Sequence, residues 1–507
     1  MLNPLDSYNQ SLIARVHPPD WVNPIPQDQY DLIVIGAGTA GLVIAAGSAG
    51  LGIGLKIALI EKNYMGGDCL NVGCVPSKTM IRSARVVNEL KKAANLGVIA
   101  GDITIDFATV MERLRKVRSE ISEADSAQRF KNLGVDVFFG EAQFTSRHTL
   151  RIVNSDDNTN LTFKKAAIAT GTRAISPKIN GLAAAGYLTN ESVFNLTECP
   201  KRLLVVGGGP IGCELAQTFQ HLGSQVTLVH KNSQILNKED PDAASIIRSQ
   251  LTQDGIDIWT NTEILDIEVT SDGKKVQIKT PDGLRSIVVD EILVGAGRQA
   301  NIESLNLDAI GIATHPHKGI LVNDFLQTAQ PHIYAAGDVC MDWKFTHAAD
   351  FAARIVIKNA FFSPFGLAKS KLSNLVMPWV TYTHPEVAHV GLYEHQATVS
   401  TTTITISMNT VDRAITDDET QGFVKLLLRA GSDEILGATI VSAHAGEMIS
   451  EVTTAMVNKI GLGKLASVIH PYPTQADAIR KAADAYRKTL LSDRTRSLLK
   501  LLSKFAH

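Results

Sequence analysis

The segment Leu32-Ile33-Val34-Ile35-Gly36-Ala37-Gly38-Thr39-Ala40-Gly41 is a short apolar strand that leads directly into a glycine-rich turn. An Ala-rich helical run follows, and a second apolar strand, Lys56 to Ile60, ends at the acid Glu61. Glycines let the backbone approach a pyrophosphate, the helix N-terminus favours its charge, and the acid accepts a hydrogen bond from a ribose hydroxyl. The segment therefore predicts an adenine-dinucleotide site with contacts from Gly36, Gly38, Gly41 and Glu61.

The same pattern occurs a second time, where Leu203 to Val206 lead into the turn Gly207 to Gly212 and a strand follows from Gln225 to Val229. Two such folds imply two nucleotides, one resident and one exchanging. The second site is expected to use Gly207, Gly209, Gly212, His230 and Lys231. Since the last two replace a diol-binding acid, a 2′-phosphate and hence NADPH is favoured over NADH, unless both are merely solvated surface residues.

About one βα unit after the first glycine turn lies the stretch Gly66-Gly67-Asp68-Cys69-Leu70-Asn71-Val72-Gly73-Cys74-Val75-Pro76-Ser77-Lys78. Gly73 and Pro76 indicate a loop that turns into a helix near Cys74, where helix amides lower a thiol pKa from about 8.5 toward neutrality. A dithiol beside a flavin can hold two electrons and pass them on. The stretch predicts redox chemistry, with a structural turn as the alternative.

Composition indicates a globular enzyme of several domains. The 507 residues suggest three or four units, and a net charge of −2 gives no field that would recruit nucleic acid. Five cysteines and the absence of a secretory signal favour a reducing, cytoplasmic location. The apolar run from 42 to 55 is too short for a membrane span. Residues 1 to 30 hold five prolines, so regular structure is expected to start at Asp31, after an extended or loose arm.

The later segments complete the predicted architecture. The stretches 166–171 and 333–339 are each a strand followed by a glycine turn, and beyond about 375 alternating strands and two long helices indicate a separate α+β domain. The expected fold is α/β, with two Rossmann-like dinucleotide-binding domains and a C-terminal α+β domain.

With these segments in order, the chain resembles the class I FAD-dependent pyridine nucleotide-disulfide oxidoreductases. The motifs are GAGTAG with Glu61, GGDCLNVGCVPSK, ATG at 169–171, GGGPIGCE at 207–214, GAGR at 295–298 and AAGD at 335–338. The resemblance implies FAD in the first fold, NAD(P)H in the second, and a dimerisation domain that completes the active site of the partner in a homodimer. The implied divisions are an arm at 1–30, an FAD domain at 31–171 and 298–375, an NAD(P)H domain at 172–297, a dimerisation domain at 376–486 and a tail at 487–507.

The resemblance also implies roles for single residues. Cys74 would be the flavin-proximal thiol of a charge-transfer complex, and Cys69 the interchange thiol that meets the acceptor. Lys78 would lie beside the flavin, paired with Glu214, and Asp338 would hold the ribityl chain. Further implied cofactor contacts are Lys62, Gly67, Thr170, Gly171 and Gly297.

The C-terminal segment separates the subclasses of this family. Its disulfide reductases carry His-x-His-Pro-Thr-x-x-Glu, whose second histidine is the general base. Here the sequence is His470-Pro471-Tyr472-Pro473-Thr474-Gln475-Ala476-Asp477, so Tyr472 replaces the base and Asp477 the glutamate. A phenol with a pKa near 10 is a poor base at neutral pH, and His470 is the candidate substitute.

Tyrosine at this place resembles the mercuric reductase-like subgroup, so a metal ion such as Hg(II) or Cu(II), bound transiently at Cys69 and Cys74, is the expected acceptor. No structural metal site is expected. Mercuric reductases also carry a C-terminal cysteine pair and an N-terminal CxxC domain, neither of which is seen here. The alternatives are a disulfide reductase such as dihydrolipoamide dehydrogenase or glutathione reductase, a quinone reductase or diaphorase, and a redox sensor or electron-transfer protein.

The C-terminal residues predict a basic amphipathic helix. Leu498, Leu501, Leu502 and Phe505 recur at helical spacing, while six basic residues face one acid, Asp493. Docking on the body of the dimer is the favoured interpretation, and contact with an anionic membrane is the alternative.

Overall fold

A computed structural model of the chain describes residues 2–154, 158–295 and 297–505. Within these ranges no helix is long and apolar enough to cross a membrane. The described residues form two α/β units and one α+β unit, which are built on sheets of seven, four and five strands.

The first unit is built on a sheet whose central strands are parallel. Strand β1 lies between β2 and β6, and pairs Val34 with Leu59 on one side and with Ala167 on the other. Both faces are covered, so these strands are continuous apolar runs. The elements in chain order are α1 (Ser7–Val16), β1 (Tyr30–Ile35), α2 (Thr39–Ala49), β2 (Ile57–Glu61), α3 (Gly67–Val72), α4 (Cys74–Lys92), α5 (Phe107–Ile121), α6 (Ala127–Asn132), β3 (Val135–Phe139), β4 (Glu141–Ser146), β5 (Thr149–Val153), β6 (Asn158–Ile168) and β7 (Thr172–Ala174).

The second unit has a four-stranded parallel sheet in the order β10-β9-β8-β14, with a three-stranded antiparallel sheet beside it. Its elements are α7 (Leu182–Ala185), β8 (Arg202–Val206), α8 (Pro210–His221), β9 (Gln225–Val229), α9 (Pro241–Gln253), β10 (Asp257–Trp259), β11 (Glu263–Thr270), β12 (Gly273–Thr280), β13 (Gly283–Val289) and β14 (Glu291–Val294).

The chain then returns to the first unit, where β18 pairs parallel with β6. The elements of this return are β15 (Arg298–Ala300), β16 (Thr314–His315), β17 (Gly319–Ile320), β18 (Ile333–Ala335) and α10 (Thr346–Phe361). Because the carboxyl ends of parallel strands share one edge, the turn after β1, the acid at the end of β2 and the turn after β18 lie at the same edge of the sheet.

The C-terminal unit is a five-stranded antiparallel sheet in the order β19-β20-β23-β22-β21, covered by helices. Its elements are β19 (Pro378–Thr381), β20 (Glu386–Gly391), β21 (Thr401–Ser407), α11 (Asp412–Thr416), β22 (Phe423–Arg429), β23 (Ile435–Ser442), α12 (Ala445–Val457), α13 (Leu462–Leu465), α14 (Asp477–Thr489) and α15 (Asp493–Ser503).

The N-terminal arm departs from the sequence-based expectation, because regular structure begins well before Asp31. Helix α1 starts after Asp6, whose carboxylate accepts a hydrogen bond from the Asn9 amide at 2.9 Å. Leu12 and Val16 are fully buried against the first unit. The prolines lie on both sides of this helix and mark its limits, so their number was a poor guide to what lies between them.

A buried arginine ties this arm to the dithiol segment. Arg118 of α5 is fully buried and donates to the Asn71 carbonyl at 2.6 Å and to the Asn9 side-chain oxygen at 2.7 Å. Asn71 lies between the two cysteines of the dithiol stretch. Burial lowers the pKa of Arg118 to about 10, which leaves the side chain charged at neutral pH. The arm therefore helps to satisfy the cation that holds the end of α3.

The predicted tail helix is present as α15. Its apolar side chains are exposed and do not pack against the rest of the chain. Leu498, Leu501 and Leu502 are each more than half exposed, and Phe505 is 79% exposed. The apolar face is thus not docked on its own subunit. Whether it docks on the body of the dimer or contacts an anionic membrane stays a prediction.

Replacing Asn9 by Leu should destabilise the protein, because it leaves one N–H group of the buried Arg118 without an acceptor. The expected loss is about 1–3 kcal/mol, seen as a lower thermal midpoint. Gln10→Leu on the same helix removes only an exposed hydrogen bond to the Leu5 carbonyl and serves as the control. Equal midpoints for the two variants would contradict the role given to the arm.

Candidate functional site

The two cysteines of the dithiol stretch meet at the junction of two helices. Cys69 lies on α3, and α4 begins at Cys74, as the sequence predicted. The two thiols are close enough to shift each other's pKa, and the Cys74 Sγ lies 3.3 Å from the Thr346 hydroxyl at the start of α10. The structure therefore brings together the pair that the sequence predicted to be redox-active.

The two thiols differ in acidity. The hydrogen bond from Cys69, with help from Thr346 and the nearby Lys78 ammonium, lowers the pKa of Cys74 to about 6, although burial opposes this shift. The same hydrogen bond, together with burial, raises the pKa of Cys69. Cys74 is therefore the thiolate at neutral pH, and Cys69 holds the proton.

The predicted pair of Lys78 and Glu214 is formed. The Lys78 Nζ lies 2.8 Å from a carboxylate oxygen of Glu214, whose side chain is only 6% exposed on α8. The other oxygen of Glu214 accepts from the Tyr382 backbone N–H at 2.9 Å, and the ammonium lies 4.6 Å from the centroid of the Tyr382 ring. Burial by itself would lower the pKa of Lys78, but the Glu214 carboxylate raises it on balance. The pair keeps a fixed cation one helical turn from Cys74.

The first glycine turn fits a dinucleotide. Gly36 has φ +97°, and a Cβ atom there would lie 2.5 Å from the Ala169 carbonyl oxygen. Gly38 is the N-cap of α2 and provides no side-chain cap, so amides of the first helical turn are available to an anion. A Cβ on Gly67 would lie 2.7 Å from the Gly38 Cα, which shows how closely the dithiol loop approaches this turn. Glu61 accepts from the Ala37 amide at 2.7 Å, so the acid is held at the turn.

A second group of polar residues lies at the same edge of the first sheet. Asp338 accepts from the Thr172 hydroxyl at 3.0 Å, and burial raises the pKa of its carboxyl group. Arg298 contacts Thr172 and forms an ion pair with Asp68, the neighbour of Cys69. This partly buried acid suits a polyol chain that donates hydroxyl groups. The first site therefore fits FAD at the glycine turn, Glu61 and Asp338.

The remaining predicted cofactor contacts of the first site are two turns and one surface lysine. Thr170 and Gly171 form the turn after β6, where the Thr170 hydroxyl donates to the Asn301 carbonyl and Gly171 has φ +66°. Gly297 also has a positive φ, directly before Arg298. Lys62 is half exposed and lies 3.7 Å from Glu141, so the structure pairs it with a surface acid instead of the turn.

The second glycine turn leads into α8 with Gly209 as an N-cap that has no side-chain cap. A Cβ on Gly212 would lie 1.8 Å from the Gly207 carbonyl oxygen, so this close approach requires glycine.

His230 departs from its predicted role as a phosphate ligand. Its ring is buried, its Nδ1 accepts from the Gly208 amide at 3.1 Å, and burial lowers its pKa. A neutral, buried imidazole shapes the glycine turn and offers no positive charge to a phosphate. Lys231 is exposed, so contact of its side chain with a 2′-phosphate stays a prediction.

The C-terminal motif is arranged differently from the expectation. The side chain of Tyr472 is exposed and donates to Asp412 at 3.0 Å, whereas Asp477 is bound by Arg480 at 2.7 Å. His470, the candidate substitute base, has a side chain only 5% exposed, with its Nε2 3.0 Å from Glu451. Asp477 therefore does not orient Tyr472. The His470 side chain is buried within the C-terminal unit, where it contacts Glu451.

Several of these residues were missed from the sequence. Arg118, Tyr382, Thr346 and Asp412 are distant in sequence from the groups they contact, and no motif marks them.

Comparison with known proteins places the chain among the redox flavoproteins. A sequence model of the pyridine nucleotide-disulphide oxidoreductases matches residues 30–353, and a model of the dimerisation domain of that family matches residues 377–483. Mercuric reductase from Lysinibacillus sphaericus is 33% identical over 96% of this chain and 87% of its own length. Dihydrolipoyl dehydrogenase from Geobacillus stearothermophilus is 32% identical over 90% of this chain and 95% of its own. The Cu(II) complex of the HOCl-induced flavoprotein disulfide reductase RclA from Escherichia coli matches with a TM-score of 0.79 at 27% identity, covering 90% of this chain and 100% of that one.

The low pKa of Cys74 predicts how the long-wavelength charge-transfer absorbance of the NADPH-reduced enzyme depends on pH. A thiolate is the electron donor for this band, so the absorbance should persist above pH 6 and fade below it, with a midpoint at about 6. In Cys69→Ala no disulfide forms and Cys74 is already a free thiol, so the band is read in the oxidised enzyme, where loss of the Cys69 thiol should move the midpoint to higher pH.

Cys74→Ser, measured in parallel, should show no band at any pH. A midpoint near the ordinary thiol value of about 8.5 in the unaltered enzyme would contradict the arrangement of the two thiols.

Proposed function

The chain belongs to the pyridine nucleotide-disulphide oxidoreductases, FAD enzymes that use NAD(P)H, and we propose that it passes electrons from NADPH to a soft metal ion such as Hg(II) or Cu(II). Bound FAD would accept hydride from the nicotinamide and reduce the disulfide of Cys69 and Cys74. The metal ion is the substrate, and the reduced dithiol is its electron donor.

The exposed hydroxyl of Tyr472, in place of an imidazole, is the observation that carries this proposal. A disulfide acceptor releases a thiol that needs a proton, and a histidine base normally manages that proton. In this chain Tyr472 is 77% exposed, and a hydrogen bond to Asp412 raises the pKa of its phenol further. His470 is held by Glu451 with its side chain buried, so it does not replace the missing base.

Metal reduction has no need of that proton. The balanced reaction is NADPH + Hg(II) → NADP⁺ + H⁺ + Hg(0), and two Cu(II) ions would each take one electron to become Cu(I). The thiolate of Cys74 is a soft ligand of the kind that these ions prefer. Among the described residues, no group of three or more His, Cys, Asp or Glu side chains could hold a resident metal ion. Two thiols without a third ligand suit a transient substrate better than a permanent site.

Reduction of a disulfide is the second candidate. The dihydrolipoyl dehydrogenase from Geobacillus stearothermophilus is about as similar to this chain as the mercuric reductases are. The family dithiol is common to both chemistries, so the distinction rests on the C-terminal motif.

Steady-state NADPH oxidation should therefore be faster with Hg(II) or Cu(II) than with oxidised glutathione, lipoamide or a quinone. The consumption ratio should be one NADPH per Hg(II) or one per two Cu(II). Brisk turnover with a disulfide would reject the metal acceptor, preferential turnover with a quinone would indicate a diaphorase, and negligible turnover with every acceptor would indicate a redox sensor.

Replacing Tyr472 by His should create disulfide reductase activity, because an imidazole then stands where disulfide reductases carry their base. Tyr472→Phe is the matched control, since it keeps the ring and offers no base. Rates with oxidised glutathione or lipoamide that are equal in these two variants would contradict the subclass argument.

We also propose that NADPH is preferred over NADH because Lys231 is the exposed cation after β9. Lys231→Glu should raise the KM for NADPH about tenfold and leave the KM for NADH within about twofold, since only NADPH has the phosphate. Lys201→Glu makes the same charge change before β8, at the opposite edge of the sheet, and is the control. An unchanged NADPH preference in Lys231→Glu would reject this assignment.

A further inference from the structure

The last helix of the chain, α15, has a continuous apolar stripe. Leu498, Leu501, Leu502 and Phe505 are spaced three or four residues apart, so their side chains follow one another along one face. Phe505 lies in the turn that ends the helix, where its amide donates to the Leu502 carbonyl at 3.0 Å. All four side chains are more than half exposed. We call these four residues the tail stripe.

The opposite face of α15 is basic. Arg496, Lys500 and Lys504 are four residues apart, which places them together on the side away from the tail stripe, and all three are exposed. Asp493, in the first turn, is the only acid of the helix. Arg494 lies at the edge of the tail stripe, where its long side chain can keep the charged end in a polar layer. The helix therefore combines an apolar face with a strong positive charge.

Among the described residues, the polar contacts of α15 stay within the tail. The Ser492 hydroxyl accepts from the Thr495 amide at 3.2 Å and caps the first turn, so α15 is a separate helix and not an extension of α14. The Thr495 hydroxyl donates to the Leu490 carbonyl at 3.3 Å, and no hydrogen bond of α15 reaches further back. The ion pairs nearest to it belong to Arg480 and Lys481 of α14. The body of its own subunit thus neutralises none of its cations.

A helix in this position needs a further surface. An isolated helix of eleven residues is marginal in water, because most helices gain their stability by burying an apolar face. The tail stripe is buried by nothing on this subunit. The tail also lies beyond residue 483, where the match to the dimerisation domain of the family ends. The surface that covers the stripe is therefore outside the domain that the family shares.

That surface must be apolar below and negatively charged above. An anionic lipid bilayer has this combination, because its phosphates lie directly over its acyl chains. Helices with Leu and Phe on one face and Lys and Arg on the other lie in the plane of this boundary, with the apolar face about 5–10 Å deep. Helix α15 is too short to cross a bilayer. In a homodimer two tails can bind one surface, which strengthens the attachment.

We propose that α15 attaches the homodimer to the surface of an anionic lipid bilayer. The tail stripe inserts at the level of the acyl chains, and Arg496, Lys500 and Lys504 contact the lipid phosphates. This attachment is independent of the electron acceptor, so its test requires no turnover.

The first experiment measures binding of the full-length FAD holoenzyme to vesicles by flotation. One set of vesicles contains phosphatidylcholine alone, and the other contains equal parts of phosphatidylcholine and phosphatidylglycerol. Binding should be at least about tenfold stronger to the mixed vesicles and should weaken as salt is added, because the anionic headgroups attract the basic face. Equal binding to the two compositions, or binding to neither, overturns the proposal.

The second experiment separates the two faces of the helix. Leu498→Ser with Leu502→Ser removes apolar area from the tail stripe and should lower the partition coefficient on mixed vesicles about tenfold or more. Lys500→Gln with Lys504→Gln should lower it about tenfold, since each cation near an anionic surface contributes to binding.

A matched control removes the same charge elsewhere. Lys178 and Lys318 are exposed and lie outside the tail, before α7 and between β16 and β17. Lys178→Gln with Lys318→Gln should leave vesicle binding unchanged. An effect as large as that of Lys500→Gln with Lys504→Gln would assign the attraction to the charge of the whole protein and overturn the proposal.

A third variant exchanges two side chains of the tail. Lys500→Leu with Leu502→Lys keeps the composition and the net charge of α15, but it places a cation in the tail stripe and a leucine on the basic face. Its partition coefficient should fall about tenfold, as in the double serine variant. Unchanged binding in this variant shows that charge alone is recognised and overturns the insertion of the helix.

Docking of the tail on the partner subunit has a different result. In that case Leu498→Ser with Leu502→Ser would weaken the dimer in sedimentation velocity without lipid and leave vesicle binding unchanged, which overturns the proposal. The proposal predicts the reverse, an unchanged dimer and weaker vesicle binding. The flavin absorbance spectrum and the thermal midpoint should be the same in all variants, since α15 does not pack against the body of the subunit.

Discussion

The interaction between the Cys69 and Cys74 thiols is the one on which the chemistry of this protein depends. It divides the two thiols into a proton holder and a thiolate, and the direction of this division agrees with the first turn of α4 and the ammonium of Lys78. The negative charge of the dithiol therefore lies on Cys74, near the ammonium of Lys78. In the account proposed above, the reduced dithiol passes its two electrons to a soft acceptor without a separate general base.

The surrounding fold holds this arrangement from several directions. Arg118 holds the end of α3 between the two cysteines. It is itself satisfied by the N-terminal helix, which precedes the region that the family model matches. Thr346 of α10 and Tyr382, which follows β19, contact the same site from later parts of the chain. Deep burial of Glu214 keeps Lys78 charged and directed toward the dithiol. The site is thus assembled from three units of the chain, although its reactive atoms lie within one short segment.

The sequence predicted the parts of the site that follow from local patterns. The glycine turns, the helix beginning at Cys74 and the pair of Lys78 and Glu214 all have motifs, because strand, turn and helix must follow each other closely for this chemistry. The partners of Tyr472 and His470 could not be predicted, since Asp412 and Glu451 come from other elements of the C-terminal domain. The burial of His230 was missed for a similar reason: its position after β9 was visible, but its packing against Gly208 was not. Helix α1 was missed because prolines on both sides obscured the short stretch between them.

The central claim is that the dithiol gives its electrons to a metal without a proton shuttle. The most direct measurement is a single turnover, in which the two-electron-reduced enzyme is mixed without oxygen with one equivalent of Hg(II) free of thiol ligands or with oxidised glutathione. The account predicts that the metal ion oxidises the dithiol quickly and is released as one Hg(0) per reduced dithiol, while the disulfide reacts slowly. Rapid oxidation of the dithiol by the disulfide, with no Hg(0) formed from the metal ion, would contradict it.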